Sequence, residues 1–336
     1  MTNLKIGIIG TGKVTQGNYL PSLASEPDVS IGYFNRTQAK AVVCAARFGG
    51  QVFPTLAGLM EWQPDSVLVL TGERERFDAG TNLLEYHPRR LFFEKPLTAR
   101  TGQENVSEGD FFDGQKMLQL AQAQGCETAM VFNYRFFDQT LAARQIVNER
   151  AFGQVRNITG LVHYACWSHV IDLVHHFAGP IARIVALQGT QAYEAGGVGI
   201  RARDVTAAFC TAGDASGTLI GTAALAWKDP LFDLTFNFEH GRIRLQDLDG
   251  EMTVMDNQRM AVETYRVTGG DRSRWDHYNG SFKKSIAAYL QSIRANQPPP
   301  VPGVFGLLEL QVEAAIKRSI EQSRPIKLAE EFPLNL

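Results

Sequence analysis

The opening of the chain constrains its fold more than any other stretch. "LKIGIIG" (4–10) is a short, isoleucine-rich and nearly all-apolar run, and "GTGKVTQGNYLPSL" continues directly from it. Such a run suits a central parallel strand buried on both faces. Gly10 permits a tight turn at the strand end, and Gly12 lets the backbone approach a pyrophosphate at the N-terminus of the following helix. Strand, glycine turn and helix in this order point to a dinucleotide site whose cradle is Gly10, Thr11, Gly12, Lys13 and Val14. The third fingerprint position carries Thr15 instead of glycine or alanine, so the motif is imperfect.

Further along, "VSIGYFN" (29–35), "QVFPT" (51–55), "SVLVLT" (66–71), "RLFFEKP" (90–96) and "ETAMVFN" (127–133) have strand character. Helical stretches such as "TQAKAVVCAARFG" and "GQKMLQLAQAQG" separate them. Strict rotation of strand and helix means a doubly wound parallel sheet, with ligands outside the C-terminal strand ends. Three such ends carry candidate site residues. The second strand closes on Asn35, Arg36 and Thr37, where a carboxylate would accept hydrogen bonds from the adenosine ribose. An uncharged Asn35 removes repulsion from a 2′-phosphate, and Arg36 can pair with one. NADP(H) is therefore the expected cofactor, with NAD(H) as the alternative. Thr71 ends the fourth strand at the same rim. The fifth ends in Glu94 and Lys95, two charges that need a partner or a chemical task after an apolar run.

The second half has a different texture. "VTAAFCTAG", "GTLIGTAALAW", "LFDLTFNFEH" and "GRIRLQDLDG", with "TYRVTG" later, are consecutive strand-like runs divided by Gly and Asp turns, as in a meander. "FKKSIAAYLQSIRAN" and "VFGLLELQVEAAIKRSI" are apolar at helical spacing and are expected to cover one face of that sheet. The fold class is thus α/β: a Rossmann domain over 1–127, then an α+β domain over 128–336 with an open, largely antiparallel sheet. A length of 336 residues suits two domains. The net charge of −2 supplies no basic field for nucleic acid or a membrane surface. No apolar run approaches the roughly 18 residues of a membrane helix. The N-terminus enters a strand at once, unlike a signal peptide, and Cys44, Cys126, Cys166 and Cys210 form no CxxC pair. A reduced, cytoplasmic protein without structural metal is expected.

The N-terminal GxG turn, "EKPL" (94–97), "YRF" (134–136), "FGQV" (152–155) and a histidine–aspartate helix after residue 165 together resemble the Gfo/Idh/MocA oxidoreductases. The resemblance implies a catalytic lysine at Lys95, beside the nicotinamide, able to take or give the substrate hydroxyl proton if its pKa falls towards neutrality. Glu94 is expected to position that loop; a Glu–Lys pair tethering the strand end is the plainer alternative. The matching histidine, His169, would be a second proton-transfer or hydroxyl-binding group, and Asp172 would bind substrate or orient it. On a helix His169, Asp172 and His176 share a face, a spacing that alone is weak evidence for a metal. His175 and His176 read more simply as a helix face against solvent or core. The family pattern has an aspartate four residues before the histidine where this chain has Ala165, so Tyr164 and Trp167 become candidate substrate contacts. "TGERER" (71–76) also lacks the usual Pro-Asn. The expected activity is hydride transfer between NAD(P) and a hydroxyl or keto carbon of a sugar, polyol or related molecule. The alternatives are a weakly active or inactive nucleotide-binding regulator, and a protein that retains nicotinamide as an internal redox partner. An open sheet with one uncovered apolar face also implies a homodimer or homotetramer.

Overall fold

The computed structural model describes residues 3–194, 199–248, 251–266 and 273–336, and the chain divides into two units. The first runs to Val131 and takes up Phe282–Leu310 and Leu334–Leu336. In chain order it holds β1 (Leu4–Ile9), α1 (Leu20–Ala24), β2 (Val29–Phe34), α2 (Gln38–Phe48), β3 (Gln51–Val52), α3 (Leu56–Glu61), β4 (Ser66–Val69), α4 (Glu73–Leu84), β5 (Arg90–Phe93), α5 (Glu108–Ala123) and β6 (Glu127–Met130). The six strands are parallel in the order β3-β2-β1-β4-β5-β6. Winding goes one way from β1 to β3 and the other way from β4 to β6, so the crevice for a ligand opens at the carboxyl ends of β1 and β4.

Local chemistry sets the helix ends. Thr55 Oγ1 accepts from the Gly58 N–H at 3.0 Å to start α3, and Ser107 with Asp110 forms a reciprocal capping box on α5. Pro21 in α1 has no N–H to donate. The turn before it opens into a π-helical stretch, Thr15–Tyr19, in which the Leu20 N–H reaches back to the Thr15 carbonyl.

The second unit comprises Phe132–Ser281 and Gln311–Pro333. It holds α6 (Asp138–Glu149), β7 (Val155–His163), α7 (Trp167–Ala178), β8 (Ile181–Glu194), β9 (Arg201–Thr211), β10 (Ser216–Thr222), β11 (Phe232–Phe238), β12 (Gly241–Gln246), β13 (Met252–Asp256) and β14 (Ala261–Tyr265). Then come α8 (Arg274–Arg294), α9 (Val304–Gln322), β15 (Ile326–Lys327) and α10 (Leu328–Glu331). The nine-stranded sheet has the order β14-β13-β12-β11-β7-β10-β9-β8-β15. It is antiparallel except where β10 runs parallel to β7, so a simple meander is interrupted there. Of "TYRVTG", the strand ends at Tyr265, and Val267 onward lies outside the described residues.

The division differs from the 1–127/128–336 split, because Phe282–Leu310 returns to the first unit. There Phe282 packs edge-on to Tyr19 at 5.4 Å, Tyr289 packs on Phe92 at 4.9 Å, and the Tyr289 and Ser66 hydroxyls hydrogen-bond at 2.7 Å. Helical periodicity shows that α8 has an apolar face but not which sheet that face meets. One face of the second sheet carries Leu161, Ile220, Thr206 and Leu187 in a single cross-strand row; its three apolar members are all exposed. Among the described residues no helix is long and apolar enough to cross a membrane.

Candidate functional site

The turn after β1 uses its two glycines for different reasons. Gly10 has φ +92°, and a Cβ there would stand 2.6 Å from the backbone of Leu70 and Thr71. Only glycine fits between these two strands. A Cβ on Gly12 would meet nothing within 4 Å, so this glycine keeps an approach open instead of relieving a clash. Thr15 explains the imperfect fingerprint: its buried hydroxyl donates to the Gly10 carbonyl at 3.0 Å and ties the helix start to the turn. Around this turn lies a cavity of about 920 Å³ whose wall includes Gly10–Lys13, Asn35–Thr37, Thr71 and Glu75. Thr71 Oγ1 is buried there without a hydrogen-bond partner. An open glycine, an unsatisfied hydroxyl and a helix start beside the switch point fit a dinucleotide.

At the rim beyond β2, the Asn35 side-chain amide donates to the Thr37 carbonyl at 2.9 Å. Arg36 is salt-bridged to Glu75 in the first turn of α4.

The charges after β5 are not spent on each other. Glu94 is buried, and its two oxygens accept from the Tyr19 hydroxyl and from the Lys95 backbone N–H, each at 2.8 Å. Buried Arg76 donates to the Thr71 carbonyl at 2.8 Å and also to the Pro96 carbonyl, which joins the nucleotide rim to the EKP loop. Burial lowers the pKa of Arg76, and the nearby charge of Glu94 opposes that fall. The Lys95 ammonium instead donates to the side-chain oxygen of Gln103 at 3.0 Å. A neutral acceptor fixes the direction of that ammonium without neutralising it.

In the second unit α7 is so enclosed that only His176 and Ala178 escape burial. The His169 ring stacks on Tyr134 with centroids 4.0 Å apart and planes 10° apart, with Phe132 edge-on at 5.9 Å. The Tyr134 hydroxyl donates to Cys166 Sγ at 3.1 Å. Asp172 is fully buried and meets Arg135 in two parallel bonds of 2.6 and 2.8 Å. Burial pushes its carboxyl up to about 6, against the downward pull of Arg135. Burial, with Arg135 nearby, takes His175 and His176 down to about 3. Trp167 is interior, close against Gly221, while the Tyr164 hydroxyl donates to the Arg203 carbonyl at 2.8 Å. Among the described residues no group of three or more His, Cys, Asp or Glu side chains is arranged to hold a metal ion.

Residues 4–132 match the family model described as "Oxidoreductase family, NAD-binding Rossmann fold", GFO_IDH_MocA. The match spans all six parallel strands of the first unit. A search of curated protein sequences returns no match. Solved structures share the fold along nearly the whole chain. An NAD-binding oxidoreductase from Klebsiella pneumoniae superposes with a TM-score of 0.80 at 17% identity, covering 97% of this chain and 99% of the other. The UDP-N-acetylglucosamine 3-dehydrogenase GnnA from Acidithiobacillus ferrooxidans gives 0.75 at 17%, covering 96% and 99%. A levoglucosan dehydrogenase, solved with NADH and levoglucosan, gives 0.77 at 17%, covering 97% and 100%.

Within the matched region the structure gathers Gly10, Thr11, Gly12, Lys13, Asn35, Arg36, Thr37 and Thr71 around one cavity. Val14 is half exposed outside its wall, and Glu94 and Lys95 stand apart from it, linked to it through Tyr19 and Arg76. His169, Asp172, Tyr164 and Trp167 all belong to the other unit. Sequence reading missed Glu75, Arg76 and Gln103 in the first unit and Tyr134 and Arg135 in the second. "TGERER" stood out only for its missing Pro-Asn, and "YRF" as a motif without a role. Nothing in the sequence marked Gln103.

Proposed function

We propose that the chain is an NAD(P)-dependent oxidoreductase that transfers hydride between nicotinamide and a hydroxyl or keto carbon of a sugar, polyol or related small molecule. The observation that carries this reading is Lys95. It is a cation held on a neutral amide oxygen, on the same domain as an open dinucleotide cradle and tied to that cradle through Arg76. The bound cofactor supplies the hydride acceptor or donor. The chain's own task is then to move one proton: the Lys95 Nζ accepts the hydroxyl proton in oxidation as the neutral amine and returns it in reduction as the ammonium. Glu94, anchored by Tyr19, holds the loop from which Lys95 projects. In the other unit His169, fixed by the Tyr134 ring, is the second hydroxyl-binding or proton-transfer candidate. The structural neighbours named as acting on levoglucosan and on UDP-N-acetylglucosamine support a polyhydroxylated substrate. The Asn35–Arg36 pair supports acceptance of NADP(H), with NAD(H) as the alternative.

Screening sugars and polyols at the nicotinamide absorbance band tests the activity, and Lys95→Met tests the assignment. The variant should bind dinucleotide and melt as the parent does, while turnover falls about 10²–10⁴-fold, the usual contribution of a general acid–base. Near-parental turnover by a normally folded Lys95→Met protein would refute the role. Ala165 and the engagement of Asp172 by Arg135 favour a second reading, a nucleotide-binding regulator with little turnover. That reading predicts dinucleotide binding with no activity across the panel. For assembly we propose a homodimer or homotetramer through the face bearing Leu161, Ile220 and Leu187, and light scattering showing a stable monomer at micromolar concentration would contradict it.

A further inference from the structure

We infer that Glu75 sets the dinucleotide preference of the cradle by competing with a 2′-phosphate for Arg36. The inference rests on the cofactor reading above and deepens it. From sequence, Arg36 stands ready to pair with a 2′-phosphate. In the folded domain its guanidinium is already paired with the Glu75 carboxylate, and both side chains line the cavity. Asn35 occupies the strand-end position where a carboxylate would take the ribose hydroxyls, but its amide is turned onto the Thr37 carbonyl. The acid at this rim is therefore delivered from α4, 39 residues away in sequence from Arg36.

The surrounding charges are mixed. Lys13 and Lys40 also line the cavity, as does Asp78, which is itself 3.5 Å from Arg100. For a 2′-phosphate to take the Arg36 guanidinium, Glu75 must first give it up. The carboxylate is then left beside a second anion, so binding carries a lost ion pair and a like-charge contact together. A ribose 2′-hydroxyl imposes neither cost, because it can donate a hydrogen bond to a carboxylate. Glu75 thus opposes NADP(H) selectively, although Asn35 and Arg36 alone would favour it.

The experiment is a titration of the full-length protein with NADH and with NADPH, followed by nicotinamide fluorescence or calorimetry. Glu75→Gln removes the charge and keeps the length and hydrogen-bonding atoms. NADPH should then bind about three- to tenfold more tightly, the range expected for one partly exposed charge interaction, while NADH holds steady or weakens. Combining Glu75→Gln with Arg36→Ala should shrink the gain to the part that comes from removing the like charge, because no guanidinium remains to be released. An unchanged NADPH-to-NADH ratio in Glu75→Gln overturns the inference. A gain of undiminished size in the Arg36→Ala background also overturns it, since the effect would not pass through Arg36. Both side chains are exposed, and thermal melting verifies that each variant folds. If wild type and variants bind neither dinucleotide, the cofactor reading fails and takes this inference with it. Binding with an unmoved ratio defeats the inference alone.

Discussion

The turn after β1 and the Asp172 pairing on α7 handle their polar groups in opposite ways. In the first unit, the turn after β1 leaves capacity unused: nothing stands near Gly12 and Thr71 Oγ1 has no partner. In the second, α7 spends its chemistry internally, with His169 against Tyr134 and Asp172 bound at both oxygens by Arg135. A site prepared for a ligand keeps unsatisfied groups and open backbone, whereas a helix that stabilises a fold satisfies its own. By that measure the turn after β1 is built to receive something and the Asp172 pairing is built to hold the second unit together, while His175 on the same helix keeps both ring nitrogens buried without a hydrogen-bond partner. His169 carries the claim of α7 to chemistry, because Asp172 already has a full-time partner.

The largest expected effect comes from breaking that partnership. Arg135→Met leaves a buried carboxylate unpaired and should cost about 3–5 kcal/mol of stability. Arg135→Met with Asp172→Leu should recover most of it, since removing both charges removes the desolvation cost as well. The pH dependence has a definite sign. The Asp172 carboxyl, at about 6 in the folded protein, lies above the ordinary 3.8. A carboxyl raised in this way contributes stability below its unfolded value and loses it as pH rises through the folded value. Removing Arg135 raises the folded value further. The deficit of Arg135→Met in urea unfolding should therefore be greatest above about pH 6 and shrink in acid. Equal losses at pH 5 and pH 8 would mean that Arg135 acts by packing and not by charge.

The same contrast explains what could be read in advance. The cradle was legible because its determinants are local: an apolar run, glycines at fixed spacing and a strand end at Asn35. The alternation of strands and helices likewise announced the parallel sheet. What stayed hidden depends on pairings far apart in sequence. Glu75 meets Arg36 only once α4 is placed beside the end of β2. For Asp172 the resemblance implied a role toward substrate or His169, and its pairing with Arg135, 37 residues away, could not be read from the sequence. The return of Phe282–Leu310 to the first unit stayed hidden for the same reason, since a periodic stripe identifies a buried face but not its partner. Gln103 sits in a short 3₁₀ turn with no pattern to mark it, and its meaning comes solely from the Lys95 ammonium.

A smaller effect separates two glycines of one motif, and it tests whether the first unit is open by design or by accident. Gly10→Ala forces a Cβ into the Leu70–Thr71 backbone at 2.6 Å and demands φ +92° of an L residue. That should cost at least about 1–3 kcal/mol of stability, and dinucleotide affinity would fall with the folded fraction. Gly12→Ala adds the same methyl where nothing lies within 4 Å. Its melting temperature should stay close to the parent's, as an ordinary surface change moves stability by no more than about 0.5 kcal/mol. Dinucleotide affinity should nevertheless drop by about tenfold or more, roughly 1.4 kcal/mol, because the methyl occupies the space through which a pyrophosphate reaches the backbone. Only a ligand can supply that second effect, since the protein alone offers the methyl nothing to collide with. Parental affinity in Gly12→Ala would mean that the opening faces solvent and that the pyrophosphate sits elsewhere on the rim. A loss of stability equal to that of Gly10→Ala would mean that the open space beside Gly12 closes in solution.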